Sequence, residues 1–97
     1  SGFNMNRLET YYSGDAGWND YVKLYAEDFL DENAHILSAK LNGALDLAIV
    51  IYGKRGLREA EWWIEQKVPM LDNISPLDCL DDIELLKRLR ECLMRMP

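Results

Sequence analysis

Apolar residues recur along this chain with a period near 3.6, and that recurrence restricts it to helices packed around a shared core. Val22, Tyr25, Ala26, Phe29 and Leu30 stand at i, i+3, i+4, i+7 and i+8, one stripe of a helix predicted to begin at Asn19. Asp31, Glu32 and Asn33 interrupt the stripe and suit the cap of a second helix, since short polar side chains accept from the open N–H groups of a first turn. Ile36, Leu37, Leu41, Ala44, Leu45 and Ala48 keep the same spacing. They predict one long central helix reaching Tyr52, with Gly53 as its stop. The run from Ala48 to Tyr52 also suits a buried strand, because it is rich in β-branched residues. Its place in the helical pattern favours the helix.

After the connection Lys54-Arg55-Gly56, a third helix is predicted over Leu57 to Gln66, with Leu57, Ala60, Trp63 and Ile64 inward. Trp62 lies about 100° round the helix from Trp63, so the two cannot point at one core centre. Either both are partly buried, or Trp63 is core and Trp62 an exposed interface anchor. Met70 to Ile74 reads as a tight turn in which Asn73 takes positive φ. Ser75-Pro76 starts a short helix with a capping hydroxyl and a proline at the first position. Asp81-Asp82 starts the last helix, where Ile83, Leu86, Leu89, Cys92, Leu93 and Met96 form the inner stripe. Lys87, Arg88, Arg90, Glu91 and Arg95 are assigned to its outer face. The expected architecture is all-α, a compact bundle of four or five helices with short connections. Residues 18–97 form one helical domain, and residues 1–17 a tag remnant (Ser1-Gly2) followed by a loosely ordered entry segment.

With 97 residues the chain has room for one core. At 48% hydrophobic and 29% charged residues it has the balance of a globular domain rather than a disordered one. No apolar run approaches the roughly 20 residues that span a bilayer, and no signal peptide is visible. Cys79 and Cys92 fall on apolar helix positions, as buried reduced thiols of a cytoplasmic protein do. The net charge of −6 argues against nucleic acid as the main ligand, because duplex affinity is built from phosphate neutralisation. Residues 1–50 carry eight acids and three bases, residues 51–97 nine and eight. The basic clusters Lys54, Arg55, Arg58 and Lys87, Arg88, Arg90, Arg95 read as solvated helix faces balanced by neighbouring acids.

Chemistry-bearing patterns are sparse. His35 is the only histidine and has no Cys/His cluster around it for a metal. The acid pairs Glu27-Asp28, Asp31-Glu32 and Asp81-Asp82 diverge by about 100° on a helix, which suits solvation and capping better than shared catalysis. Gly53-Lys54-Arg55-Gly56 is better read as a turn than as a phosphate loop. No catalytic constellation is visible in these patterns, and the expectation is of a chain that is not an enzyme, with no cofactor and no metal.

From about Ala48 to Pro97 the order of motifs resembles the toxin-binding domain of Xre/MbcA/ParS-type antitoxins. An apolar helix closes on Tyr52-Gly53, and Glu59-Ala60 precedes Trp63-Ile64. Leu71 follows Trp63 by eight, and Ser75-Pro76-Leu77-Asp78-x-Leu80 matches the family's Thr/Ser-Pro-Leu-x-x-Leu. An amphipathic helix ending Leu93-x-Arg95 completes the pattern. Trp63, Leu71, Asn73, Ser75, Pro76, Leu77 and Leu80 are thus its scaffold positions. Asn73 stands where the family has a turn glycine, Leu85 where it has a second glycine, and Asp82 where it has a threonine cap. Family members place a DNA-binding helix-turn-helix before this region, whereas residues 3–47 are acidic and offer no recognition helix.

The resemblance implies a protein toxin as partner, of the RES-domain class that uses NAD. It also implies neutralisation by the last helix covering the toxin's active site. Trp62, Arg88, Arg95, Met96 and Pro97 are the residues it brings forward as partner-facing. A homodimer is expected on separate grounds, since the acidic first helix and the aromatic-rich start otherwise have little to pack against. Two other readings remain open at this point: a DNA-binding regulator of a toxin–antitoxin operon, and a helical adaptor that shares only the scaffold.

Overall fold

The computed structural model describes residues 7–97. Five α-helices make up the fold: α1 (Asp15–Phe29), α2 (Glu32–Ala39), α3 (Leu45–Arg55), α4 (Leu57–Trp63) and α5 (Ile83–Arg95). Short 3-10 turns lie at Leu8–Tyr11, Pro69–Leu71 and Leu77–Cys79. The all-α bundle expected from the periodicity is therefore the architecture present. Among the described residues the β pairing consists of one isolated antiparallel bridge, Val68 to Ile74. No helix among them is long and apolar enough to cross a membrane.

The centre of the molecule is α3. Leu47, Ala48, Ile49, Val50 and Ile51 are all buried, which requires neighbours on every side, and α1, α2, α4 and α5 supply them. The run that also suited a strand is helical because surrounding helices, rather than sheet neighbours, bury its branched side chains.

The central helix is not continuous with the one before it. Asn42 and Gly43 take φ of 55° and 82°, and the Gly43 N–H closes back on the Ser38 carbonyl at 2.8 Å. Asparagine and glycine enter the left-handed region at little cost, so this pair ends one helix and lets another start at an angle. Gly53, expected as a stop, lies inside α3. A β-carbon there would come within 2.5 Å of Tyr25 Cδ2 and 2.8 Å of Phe29 Cδ2. Its small size admits the aromatic face of α1, and Gly56, at φ 77°, is the actual stop.

That aromatic face begins one turn earlier than predicted. Trp18 is fully buried and donates its indole N–H to Asp46 at 2.8 Å. Tyr21, Tyr25 and Phe29 follow along α1 with successive ring centroids 5.2 and 6.0 Å apart, and Tyr52 of α3 meets Phe29 edge-on at 5.4 Å.

The entry segment, expected to be loose, is tied down over its described part. Glu9 holds both Nε and Nη2 of Arg88 at 2.9 Å, and Asp15 holds Arg90 at 3.1 Å. Residues 1–6, including the expected tag remnant, lie outside the described residues. Not every residue of the predicted stripes is covered: Leu30 is 52%, Ile36 43% and Ile83 65% exposed. Burial along α5 begins only at Leu85 and Leu86, a turn beyond its Asp82 cap.

Candidate protein-binding groove

The residues of the motif run from Trp63 to Leu80 lie together in the fold. Trp63 is 4% exposed and Leu71 fully buried, so the two ends of that spacing meet in one core. Asn73 has φ of 63°, as expected, and Asp72 before it has the same value, so the reversal uses two left-handed residues in succession. This reversal returns the chain to pair Val68 N–H with the Ile74 carbonyl at 3.0 Å. Ser75 Oγ then accepts the Asp78 N–H at 3.2 Å, ahead of the buried Pro76, and the Leu77 N–H reaches back to the Ile64 carbonyl at 3.1 Å. Leu77 and Leu80 pack against the core from that turn. At the start of α5, Asp82 accepts from the Glu84 and Leu85 N–H groups at 2.9 and 3.0 Å.

An open groove of about 490 Å³ lies between the end of α4, the loop after it and the end of α5. Trp62 and Met70 form its exposed lips, at 59% and 45% exposure. Trp63 and Val68 are buried beneath them, Pro69 is exposed beside Met70, and Met96 closes the side next to α5. Gln66, also in the lining, donates to the Trp62 carbonyl at 3.0 Å and fixes the turn that carries the lip. Two bases belong to the lining, Arg55 and Lys67, and no acid does. The Arg55 guanidinium lies over the Trp63 ring at 4.7 Å and pairs through Nη1 with exposed Glu59, while its buried Nε has no acceptor.

Met96 is held in place from below. Lys54 Nζ donates to the Met96 carbonyl at 2.7 Å and to Tyr21 Oη at 2.8 Å, with the Tyr21 and Tyr25 rings beside it at 5.3 and 5.1 Å. Burial works against this ammonium, but the tyrosine hydroxyls outweigh it and raise its pKa above the ordinary value. One cation thereby joins α1, α3 and the end of α5.

Of the five residues brought forward as partner-facing, the structure places two at this groove, Trp62 on the lip and Met96 in the wall. Pro97 is exposed just beyond. Arg95 is half-exposed, pairs with Glu91 at 2.8 Å and lies over the Tyr11 ring at 5.0 Å. Arg88 departs from the expectation altogether: it is 5% exposed, gripped by Glu9, and donates from Nη1 to the Leu71 carbonyl at 3.1 Å. A guanidinium can be buried here because its fork finds both a carboxylate and a carbonyl as acceptors. The hydrogen bond to Arg88 holds Glu9 below its ordinary pKa, and Glu9 in turn raises that of Arg88. Met70 and Lys67 were not singled out from the sequence as site residues, and Arg55 was expected only as part of a solvated basic cluster. A base in the last turn of a helix is common enough to carry no sign that it stacks on an indole eight residues on.

The remaining features hold less. A smaller cavity of about 230 Å³ is lined by Asp46, Asp81 and Arg90, and its one base is already shared between Asp15 and Asp46. Burial pushes the Cys79 and Cys92 thiols up to about 11, which leaves them protonated and unreactive at neutral pH. Both are free cysteines. His35 is exposed, and no metal-holding cluster of His, Cys, Asp or Glu occurs among the described residues. The bases of α5 are all paired: Lys87 with Glu84, Arg88 with Glu9, Arg90 with Asp15, Arg95 with Glu91. No family model matches the chain, and no curated protein or solved structure matches it either.

Proposed function

We propose that this chain is a protein-binding module of the antitoxin type, which neutralises a RES-class, NAD-using toxin by covering its active site. It acts without catalytic chemistry of its own. The observation that carries the reading is Trp62, more than half exposed on the lip of an apolar groove whose opposite wall is Met96. An exposed tryptophan beside such a groove is the kind of anchor that dominates protein interfaces. The motif order from Ala48 to Pro97 supplies the class of partner. On this reading the groove and the exposed end of α5, from Arg95 to Pro97, face the toxin together, and the module is a homodimer. Operator binding is disfavoured because the cations of α5 are already neutralised by acids of the same chain, leaving little charge for phosphates.

The test is co-purification with a RES-domain toxin from the same cell, together with the toxin's NAD consumption. A stoichiometric complex and suppressed consumption are expected. Trp62→Ala should weaken the complex by about tenfold or more, the loss typical of truncating an interface anchor. A toxin that neither binds nor is inhibited by the wild-type chain would remove the antitoxin reading.

A further inference from the structure

We propose that the groove beside Trp62 seats a partner segment in which an aliphatic or aromatic side chain is flanked by carboxylates. This rests on the protein-binding reading above and specifies the chemistry of what binds. The apolar part follows from the lining, where Trp62, Trp63 and Met70 offer an indole lip, an indole floor and an adaptable thioether.

The charge of the partner follows from what the groove leaves uncompensated. Acids outnumber bases 17 to 11 in the chain, yet the charged residues of this lining are Arg55 and Lys67. Elsewhere most bases meet acids of the same chain: Arg7, Lys23, Lys40, Lys87, Arg88, Arg90 and Arg95 each have one. Lys54 is held by Tyr21 and the Met96 carbonyl, and Arg58 is an exposed base away from the groove. Lys67 makes no hydrogen bond or ion pair among the described residues, and Arg55 shares only Nη1 with a solvent-exposed glutamate. Stacking on Trp63 orients the Arg55 fork, so an arriving carboxylate meets a guanidinium already in place.

The groove is also built before any partner arrives. Lys54 holds the Met96 wall through its carbonyl, and Gln66 fixes the Trp62 turn. A pre-formed site spends less of its interaction energy on ordering, which favours a short segment as occupant.

The experiment is selection from a random dodecapeptide phage library on the immobilised full chain, followed by affinities of synthesised winners. Enriched peptides should carry an excess of Asp and Glu around Leu, Phe or Trp, and added salt should weaken them. Trp62→Ala and Lys67→Glu should each weaken binding by about tenfold or more, while Arg58→Glu, on an exposed base outside the lining, should change it by less than about twofold. Winners without an acidic excess, or indifferent to Lys67→Glu, would overturn the proposal. So would a concentration-dependent dimer of the wild-type chain that Trp62→Ala abolishes, since the groove would then be occupied by a second copy. A RES-domain toxin that binds wild type and Lys67→Glu equally would overturn this inference and leave the antitoxin reading standing. Acidic winners with no toxin binding would do the reverse.

Discussion

Arg88 shows what a single side chain decides in this molecule. Its guanidinium joins α5 to the entry segment through Glu9 and to the reversal after α4 through the Leu71 carbonyl. Removing one partner of a buried pair leaves the other charge without compensation, at about 3–5 kcal/mol. Arg88→Ala should therefore lower the free energy of unfolding by about that amount in denaturant titration, whereas an exposed base such as Arg58 should cost well under about 1 kcal/mol when truncated. The pair also writes a pH dependence. The Glu9 pKa is lowered on folding from its ordinary value of 4.5, chiefly by the hydrogen bond to Arg88. The folded state is thus favoured while Glu9 is ionised: the contribution is present above 4.5 and lost as pH falls through the depressed folded value. Stability measured against pH should drop on this acid limb in the wild type, and Glu9→Gln should lack that part of the drop. An identical acid limb in both proteins would show that the pair is not formed.

At the scale of elements, the decisive feature is the close approach of α1 to α3. Gly53 lies where a β-carbon would drive into the Tyr25 and Phe29 rings. In an exposed helix interior, Gly→Ala stabilises by about 1 kcal/mol. Here the same change forces rings of a continuous aromatic row to shift, and overpacking of that kind costs about 1–3 kcal/mol. Gly53→Ala should therefore destabilise, seen as a lower Tm, against the direction of helix propensity. A raised Tm would mean that the aromatic face of α1 gives way easily. The ends of the elements follow local chemistry more directly. Asp31 caps α2 through the Asn33 and Ala34 N–H groups and also receives the Tyr52 hydroxyl at 2.9 Å, while Asp82 caps α5.

At the scale of the whole molecule, Lys54 connects the core to the groove. Its bonds to Tyr21 and to the Met96 carbonyl bring together α1, α3 and the end of α5. Lys54→Met should retain most of the packing along the stem while removing the donor that holds Met96. The amides of the last turn, from Cys92 to Met96, are then expected to exchange hydrogen several-fold faster, with those of α3 little changed, because such fraying is local opening rather than global unfolding. Unaltered exchange at the last turn would show that α5 keeps its end without this bond.

The sequence by itself determined the class of fold, the approximate location of most of the helices, the reversal at Asn73 and the caps at Asp31, Ser75 and Asp82. All of these rest on interactions within a few residues, where periodicity, left-handed propensity and short acceptors act. The break at Asn42-Gly43 was also legible, since that dipeptide marks turns, but an unbroken apolar spacing across it masked the signal. Other features depended on which surfaces meet. Gly53 is a packing gap because α1 crosses there, and a stop signal and a close approach look alike in one dimension. Arg88 is buried because Glu9, 79 residues away, reaches it. Neither residue carries a local mark of the other. The groove is of the same kind: Trp62, Lys67 and Met70 follow one another along the chain, but Arg55 comes from the end of α3 and Met96 from the end of α5, and only tertiary packing makes them one surface. Local chemistry sets where helices start and stop, while long-range packing decides which side chains they hide and which they leave for a partner.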